Sequence, residues 1–279
     1  MNQTSEIPFS KLEGTGNDFI LVDNRAGLIG LPDLPNLVPA MCNRTFGIGS
    51  DGLILLEEDE SGTLVMIYKN PDGSDAGMCG NGARCFALFA KRLGYASELT
   101  FRVHDKTYES SLTGQNVSIR FPLTTDVQPV SVDGEEFLNI YTNTEHIVCR
   151  VDAGLLDHPG QLVSRGRHLR NHEAFEPKGT NVNFIHGTGE TELELQTYER
   201  GVENLTLACG TGAIASALAW HAWQTSGDGT FTYQVQTRGG TLLVRFKFNA
   251  KSGRYSEIEL EGPATFVFEG RYPLKKNGD

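Results

Sequence analysis

Cys79-Gly80-Asn81-Gly82-Ala83 and Cys209-Gly210-Thr211-Gly212-Ala213 are two copies of one pattern, Cys-Gly-x-Gly-Ala, about half a chain length apart. Each copy leads into a mostly apolar run that predicts a helix, Ala83–Leu93 in the first half and Ala213–Trp223 in the second. A helix that is apolar on nearly every side has to be surrounded by other elements. We therefore expect two similar domains, each with a sheet around one of these helices.

The length and the composition restrict the class of protein. The 279 residues are enough for two domains that each bury a core. A net charge of −11 disfavours nucleic acid and anionic membrane surfaces as partners. No apolar run reaches the ~20 residues that cross a bilayer, and residues 1–10 lack the basic and apolar regions of a secretory signal. We therefore expect a cytosolic protein.

Most of the chain outside the two helices has the alternating pattern of half-buried antiparallel strands, separated by Gly, Asn and Asp turns. Lesser helices are predicted at Leu37–Cys42, with Pro39 in its first turn, and at Leu162–Arg170. The predicted class is α+β, with two pseudo-symmetric domains, each a curled, mostly antiparallel sheet around a central helix. The predicted domains are 1–125 and 126–264, because Pro122 and Pro129 interrupt the periodicity near the boundary. The predicted strands are Phe19–Asp23, Leu53–Glu57, Leu64–Tyr68, Leu99–Val103, Val117–Phe121, Ile147–Asp152, Val182–His186, Glu192–Tyr198, Thr230–Thr237, Leu242–Phe248, Glu257–Glu261 and Thr265–Phe268.

The chain has five cysteines, an odd number, at irregular spacings, and no Cys-x-x-Cys pair occurs. This spacing supports neither a zinc ribbon nor a thioredoxin-type site, and we predict no metal. In a reducing compartment the cysteines are expected to be free thiols. Three of them, Cys42, Cys85 and Cys149, are interpreted as small buried apolar residues. Cys79 and Cys209 differ because each precedes a glycine-rich helix start.

A helix N-terminus offers unpaired backbone N–H groups and a partial positive charge. Each helix start has two glycines, Gly80 and Gly82 in the first copy and Gly210 and Gly212 in the second. These glycines are expected to let the backbone come close to a bound group. Such a start suits a carboxylate or a phosphate, and the same field favours a thiolate over a thiol. Each copy of the pattern therefore predicts an anion cradle beside an activatable cysteine.

Two such cradles around one carboxylate predict a reaction. One thiolate removes the proton from Cα, and the opposite thiol delivers a proton to the other face, so that the configuration inverts. The α-proton of an amino acid is a far weaker acid than any thiol, so oriented dipoles have to stabilise the carbanion. No lysine has the setting of a pyridoxal-phosphate site, and we predict cofactor-free chemistry.

Through these cysteine segments and several further motifs, the chain resembles the diaminopimelate epimerases over nearly its whole length. The resemblance is specific in Met78–Cys85, in Tyr198-Glu199-Arg200-Gly201 and in Ala208–Gly212. Further matching segments are Gly14–Phe19, Arg44–Gly52, Asn70–Ser74 and Thr180–Phe184.

The resemblance implies a cytosolic, cofactor-independent conversion of LL- to meso-2,6-diaminopimelate in lysine biosynthesis. It implies that Cys79 and Cys209 are the two catalytic bases, and that a last strand at about 265–279 returns to the first domain. It also implies a homodimer. Residues implied to hold the reacting carboxylate are Gly80, Asn81, Gly210 and Thr211, and those implied to hold the rest of the substrate are Asn17, Asn70, Asn181, Glu199 and Arg200.

One segment departs from the family pattern. The family usually has Gly-Asn-Pro-His at the start of the second domain, whereas this chain has Tyr-Thr-Asn-Thr-Glu-His at 141–146. Thr144 occupies the place of the family asparagine if His146 is aligned, and Asn143 can take that place with a shift of one residue. Which of the two contacts substrate stays open, and His146 is interpreted as structural rather than catalytic.

Two alternatives remain. A proline racemase or hydroxyproline epimerase shares the two-thiol plan, but it usually has His after the first Cys-Gly and Pro before the second Cys, where this chain has Asn81 and Ala208. A non-catalytic thiol redox switch needs no carboxylate cradle. The sequence does not determine which cysteine acts on which stereoisomer.

Overall fold

The structure, a computed structural model, describes residues 6–224 and 227–274. The chain forms two compact units. Unit 1 contains the described residues up to 119 and from 263 onward, and unit 2 contains the described residues of 120–262. The predicted boundary at 125/126 falls a few residues beyond the point where unit 2 begins. The helices are α1 (Leu34–Cys42), α2 (Gly80–Arg92), α3 (Ala153–Leu156), α4 (Pro159–Arg170) and α5 (Gly210–Gln224).

Strands make up most of both units. Those in the first half of the chain are β1 (Glu6–Gly14), β2 (Asn17–Asp23), β3 (Leu53–Glu58), β4 (Leu64–Lys69), β5 (Glu98–Val103), β6 (Lys106–Thr113), β7 (Asn116–Phe121), β8 (Val127–Val132) and β9 (Glu135–Tyr141). Those in the second half are β10 (Glu145–Arg150), β11 (Asn181–Gly187), β12 (Glu192–Glu199), β13 (Asn204–Thr206), β14 (Gly229–Thr237), β15 (Gly240–Asn249), β16 (Arg254–Pro263) and β17 (Thr265–Pro273).

The sheet of unit 1 surrounds α2. Its strands pair in the order β17-β1-β2-β3-β4-β5-β6, with β2–β3 and β4–β5 parallel and the other pairs antiparallel. Helix α2 contacts β1, β2, β3, β4, β6 and β17, so the sheet is curled around it. Strand β17 belongs to unit 1 and pairs with β1. Residues 275–279 of the predicted last-strand segment lie outside the described residues.

Unit 2 repeats this plan around α5. Its strands pair in the order β8-β9-β10-β11-β12-β14-β15-β16, with β10–β11 and β12–β14 parallel and the other pairs antiparallel. The sequence of parallel and antiparallel pairs is the same as in unit 1 when β8 is matched with β17 and β9 with β1. The central helix also has the same place along the chain, between the two strands of the second parallel pair. These strands are β4 and β5 in unit 1 and β12 and β14 in unit 2. The predicted α+β class with two similar, mostly antiparallel units is confirmed.

The two central helices are buried as their composition predicts. Every residue of α5 from Gly210 to His221 is buried, and the first eight residues of α2 are buried as well. Helix α2 ends in the exposed Lys91 and Arg92, and the chain then turns at Gly94, whose φ of 99° is the left-handed conformation that glycine adopts easily. Within the described residues, no helix combines the length and the apolar character needed to cross a membrane.

One helix prediction needs correction. Helix α1 begins at Leu34, three residues before the predicted start, so Pro35 lies in its first turn and Pro39 lies inside the helix. The expectation that Pro39 occupies the first turn is therefore wrong. Pro39 has no backbone N–H, so the helix lacks one hydrogen bond, to the carbonyl of Pro35. The helix nevertheless continues to Cys42.

Candidate active site

Helix α2 begins directly after Cys79, in the segment Cys79–Gly82 that we call the first cradle. Cys79 has an extended backbone, and its carbonyl accepts the N–H of Ala83 at 2.8 Å. Its Sγ accepts the N–H of Gly82 at 3.4 Å, as an N-cap side chain does. The sulfur therefore lies at the positive end of the helix, where the field favours the thiolate.

The Asn17 amide is held beside this sulfur. Its Nδ2 donates to Asp51 Oδ2 at 2.6 Å, so its Oδ1 is turned toward the first cradle. That oxygen accepts Asn81 Nδ2 at 3.3 Å and lies 3.7 Å from Cys79 Sγ. The structure thus brings together three predicted site residues, Asn17, Cys79 and Asn81. It adds Asp51, whose role the sequence analysis missed.

An ion-pair group fixes Asp51 and its surroundings. Arg44 Nη2 lies 2.8 Å from Asp18 Oδ1 and 2.6 Å from Asp51 Oδ1, and Lys11 Nζ lies 2.8 Å from Asp18 Oδ2. The pKa of Asp18 falls to about 2, because the bonds and charges of Arg44 and Lys11 outweigh the opposing effect of burial. Two cations and two carboxylates balance one another here.

Helix α5 begins in the same way, after Cys209, and we call Cys209–Gly212 the second cradle. The Cys209 carbonyl accepts the N–H of Ala213 at 2.8 Å, the same bond that Cys79 makes. Thr211 Oγ1 lies 3.5 Å from Cys209 Sγ, and the Thr211 carbonyl accepts the Thr142 hydroxyl at 3.1 Å. The threonine is therefore anchored at both its backbone and its side chain.

A chain of hydrogen bonds orients the Thr211 hydroxyl. Thr197 Oγ1 donates to Asn183 Oδ1 at 2.9 Å, which leaves Asn183 Nδ2 to donate to His146 Nδ1 at 3.0 Å. The imidazole then carries its proton on Nε2, which lies 3.1 Å from Thr211 Oγ1 and donates to it. The hydroxyl proton of Thr211 is left to point at Cys209 Sγ. Asn183 and Thr197 were not predicted, since a buried asparagine in a strand has no distinctive pattern.

His146 acts here as a neutral group. It is fully buried, and burial lowers its pKa from 6.5 to about 3. It therefore remains uncharged at neutral pH and contributes a donor of fixed direction. The interpretation of His146 as structural agrees with these contacts.

A second polar group lies at the start of β11 and the end of β12. Asn181 Oδ1 accepts the backbone N–H of Arg200 at 2.9 Å, and Asn181 Nδ2 donates to Thr144 Oγ1 at 3.3 Å. Arg200 Nη2 donates to Thr144 Oγ1 at 2.9 Å, and Nη1 lies 3.1 Å from Glu145 Oε2. Thr144 therefore joins Asn181 and Arg200, whereas Asn143 occupies the preceding turn with a φ of 70°. Glu145 was not predicted.

Two further predicted substrate residues, Asn70 and Glu199, lie in a turn and at the end of a strand. Asn70 stands in a turn after β4, where its Nδ2 donates to Ser74 Oγ at 3.0 Å. Glu199 is the half-buried last residue of β12. Among the described residues, no group of three His, Cys, Asp or Glu side chains is placed to hold a metal ion.

The other three cysteines are buried thiols, as predicted. Burial raises the pKa values of Cys42, Cys85 and Cys149, because a thiolate would lose its hydration there. These residues belong to the packed interior, and none of them precedes a helix.

The second glycine of each cradle also has a role in packing. Neither Gly82 nor Gly212 has a positive φ. A Cβ on Gly82 would lie 3.0 Å from Ile54 Cδ1, and a Cβ on Gly212 would lie 2.5 Å from Asn183 Oδ1. These two glycines are needed because the helix start packs tightly against the sheet.

Comparison with known proteins supports one family. The family model described as "Diaminopimelate epimerase" matches residues 9–119 and 138–267, which is most of the chain. The chain belongs to the diaminopimelate epimerase family. Family members named diaminopimelate epimerase include one from Flavobacterium psychrophilum, 40% identical over 93% of this chain and 97% of the relative. Another, from Chlorobaculum tepidum, is 38% identical over 94% of this chain and all of the relative.

Solved structures show the same fold at much lower identity. A Bacillus anthracis phenazine biosynthesis protein of the PhzF family has a TM-score of 0.73 and 13% identity, covering 95% of this chain and 98% of that one. A hydroxyproline epimerase from Agrobacterium vitis, solved with bound trans-4-hydroxy-L-proline, has a TM-score of 0.70 and 14% identity, covering 99% and 95%. These likenesses confirm for this family member the architecture of two similar α+β units.

Proposed function

We propose that this diaminopimelate epimerase family member converts LL- to meso-2,6-diaminopimelate, as an isomerase of lysine biosynthesis that needs no cofactor. The family membership carries this proposal. The presence of a cysteine at the start of both central helices supports it, since a reaction that inverts one carbon needs a proton carrier on each side.

In this proposal Cys79 and Cys209 act on opposite faces of the substrate Cα. One sulfur takes the α-proton as thiolate and the other gives a proton as thiol, so the roles exchange in the reverse direction. The backbone N–H groups of Gly80, Asn81, Gly210 and Thr211 bind the reacting carboxylate. As Cα loses its proton, negative charge spreads onto that carboxylate, where the two helix N-termini stabilise it.

The residues assigned to hold the substrate, chiefly its distal amino-acid end, are Asn17, Asn70, Asn181, Glu199 and Arg200. The bonds of Asn181 to the Arg200 backbone and to Thr144 support a preformed site in unit 2. Arg200 offers a planar guanidinium for the distal carboxylate. In the free protein this guanidinium pairs with Glu145, so we propose that substrate carboxylate competes with Glu145 for it.

We also propose a homodimer and a cytoplasmic location. The exposed Val267 and Phe268 on β17 offer apolar surface for a partner copy, and sedimentation of the purified protein tests this. The free state of all five cysteines suits a reducing compartment.

The experiment that tests the reaction is turnover of LL-diaminopimelate in D₂O with reductant present, followed by NMR. Deuterium at Cα together with formation of the meso isomer is the expected result. Free L-proline, tested in parallel, controls for the proline racemase alternative, which the family membership does not favour. Deuteration of proline alone, or of neither substrate, would contradict the proposal. A non-catalytic thiol switch predicts that neither substrate is deuterated.

A further inference from the structure

Asp51 is a partly exposed carboxylate to which the proposed reaction gives no role. It lies shortly before β3, and the parallel pairing of β2 with β3 sets it beside the start of β2, where Asn17 lies. The backbone N–H of Asp51 donates to the Asp18 carbonyl at 2.9 Å. The side chain of Asp51 is 40% exposed, so packing of the core does not account for an aspartate at this place.

Three N–H groups converge on the Asp51 carboxylate. Oδ2 accepts Asn17 Nδ2 at 2.6 Å and the backbone N–H of Asp18 at 3.2 Å, and Oδ1 accepts Arg44 Nη2 at 2.6 Å. A carboxylate has two oxygens and no donor, so it accepts all three. A side-chain amide has one oxygen and two N–H groups of its own, so in the same place it would turn a donor toward another donor.

The bond to Asp51 determines which way the Asn17 amide faces. An amide whose nitrogen donates to a carboxylate directs its oxygen the other way, here toward the first cradle. Asn17 Oδ1 accepts Asn81 Nδ2 at 3.3 Å, and Cys79 Sγ donates to the same oxygen at 3.7 Å. The opposite orientation would put Asn17 Oδ1 against the Asp51 carboxylate and Asn17 Nδ2 against Asn81 Nδ2.

The Asn81 amide is fixed from its other side. Its Oδ1 accepts Arg84 Nη2 at 3.0 Å, so its Nδ2 is the end that faces Asn17. The two amides therefore run head to tail from the Arg84 guanidinium to the Asp51 carboxylate. A cation at one end and an anion at the other favour the same direction of both amides, because hydrogen bonds to ionised groups are the stronger ones.

This direction gives the Cys79 sulfur an acceptor as well as a donor. The N–H of Gly82 donates to Sγ at 3.4 Å, and Asn17 Oδ1 receives the S–H. A cysteine that takes a proton in one direction of a reaction and gives it in the other exists in turn as thiolate and as thiol. The Gly82 N–H suits the thiolate and Asn17 Oδ1 suits the thiol, so the sulfur has a partner in either state.

We propose that Asp51 is a positioning residue that, by accepting Asn17 Nδ2, holds the Asn17 oxygen rather than the nitrogen at the Cys79 sulfur. Arg44 keeps the Asp51 carboxylate in place and is itself paired with Asp18. The effect of Asp51 on the rate of epimerisation rests on the proposed function, whereas the direction of the Asn17 amide is a property of the free protein.

The test exchanges the two side chains and measures kcat/KM for LL-diaminopimelate. Asp51→Asn is expected to lose about tenfold or more, the fold-change that corresponds to one hydrogen bond to a charged group. The new amide turns its oxygen to Arg44 and its nitrogen to Asn17, and so reverses the Asn17 amide. Asn17→Asp sets two carboxylates against each other and is expected to lose at least as much.

In the double variant the amide at position 51 donates to the carboxylate at position 17, whose second oxygen faces Cys79 again. The double variant is therefore expected to be about tenfold more active than Asn17→Asp. Asp51→Asn is thus harmful beside Asn17 and beneficial beside the aspartate at position 17. A merely structural defect would lower activity in both backgrounds.

Asp59→Asn is the matched control. Asp59 is also a partly exposed aspartate of unit 1 paired with an arginine, with Arg102 Nη2 2.9 Å from its Oδ2. Its removal is expected to leave kcat/KM unchanged.

The side-chain amide signals of ¹⁵N-labelled protein give a measurement that needs no substrate. The assigned Asn17 signal of the unmodified protein is expected to lie downfield and to exchange slowly with water, as an amide bonded to a carboxylate does. Asp51→Asn is expected to remove both features, and Asp59→Asn is expected to leave them.

A loss of activity on Asp51→Asn in both backgrounds would overturn the proposal. An Asn17 signal that is unchanged in Asp51→Asn protein, shown by circular dichroism to be folded, would do the same. If the variants do not fold, the unmodified protein decides, since an Asn17 amide that exchanges as fast as an exposed one is not bound to Asp51. Absence of turnover in the unmodified protein would count against the proposed function and would leave the amide measurement intact.

Discussion

The five cysteines show how position determines the chemistry of one side chain. Cys79 and Cys209 each precede a helix, with the carbonyl bonded to the N–H four residues ahead. Cys42, Cys85 and Cys149 are enclosed by packed side chains, and burial raises their pKa values. A thiolate is stabilised at a helix N-terminus and is unfavourable in the packed interior.

Cys79→Ala and Cys209→Ala are each expected to lower the rate of epimerisation by about 10²–10⁴-fold, since each removes one proton carrier. Cys85→Ala is the matched control in α2 and is expected to change mainly thermal stability. The measurement is formation of the meso isomer by NMR. Near-normal turnover in either of the first two variants would contradict the two-base mechanism.

At the scale of the element, the starts of α2 and α5 are the same motif in different packing. Gly82 faces the ends of the flexible side chains of Ile54 and Met66, at 3.0 and 3.3 Å from a Cβ built on it. Gly212 faces Asn183, whose Oδ1 lies 2.5 Å from a Cβ built on the glycine and whose amide is bonded to both Thr197 and His146. The same substitution is therefore expected to have unequal effects.

Gly212→Ala is expected to destabilise the protein by about 1–3 kcal/mol, the usual effect of overpacking. It should also impair catalysis, because displacement of Asn183 frees His146 and so Thr211. Gly82→Ala serves as the comparison and is expected to be milder. Urea unfolding and steady-state kinetics of both variants test this, and an equal or larger effect of Gly82→Ala would show that the polar group is not rigid.

The hairpin between β9 and β10 explains the departure from the family pattern. Asn143 has a positive φ, which asparagine tolerates, and this turn places the Thr144 hydroxyl on both Asn181 and Arg200. A threonine here keeps a hydrogen-bonding oxygen without the proline that the family usually has. The carboxylate of Glu145 comes from the next residue of the same hairpin.

At the scale of the whole molecule, two buried neutral histidines make stability depend on pH. His146 has a pKa of about 3, and burial among aromatic rings lowers the pKa of His221 as well. Below pH 6.5 the unfolded chain binds protons at these positions more readily than the folded chain does. The free energy of unfolding therefore falls as the pH is lowered from about 6.5 toward 3.

For His146 alone the expected loss is about 1.4 kcal/mol per pH unit in that window. The measurement is urea unfolding at pH 6.5, 5.5 and 4.5 for the unmodified protein and for His146→Gln. The variant is expected to be less stable at pH 6.5 and to have a shallower slope. His158→Gln, at an exposed position, controls for the loss of any histidine. Equal slopes for the unmodified protein and His146→Gln would show that His146 titrates in the folded state as it does in the unfolded chain.

The internal repeat also acts at this scale. The order of parallel and antiparallel strand pairs is the same in both units, and each central helix has the same place along the chain relative to the strands. The side chains of the two central helices have nevertheless diverged. The fifth residue after Cys79 is the buried Arg84, and the fifth residue after Cys209 is the buried Ile214. A shared backbone plan thus carries two different sets of side chains.

The sequence by itself determined the two central helices, the placement of a cysteine before each, and the α+β class. These features follow from local patterns, because apolar composition, glycine and strand alternation act over a few neighbouring residues. The predicted strands are found with ends shifted by a few residues. The strands that were missed, β1, β6, β8, β9 and β13, contain many polar or charged residues, and their pairing in the sheet outweighs their weak local signal.

Only the tertiary structure decided which polar groups meet. Asn17 meets Asp51, His146 meets Thr211, and Arg200 meets Glu145, each pair far apart in the sequence. Such contacts depend on strand register and on how tightly a helix packs against a sheet, which no local pattern encodes.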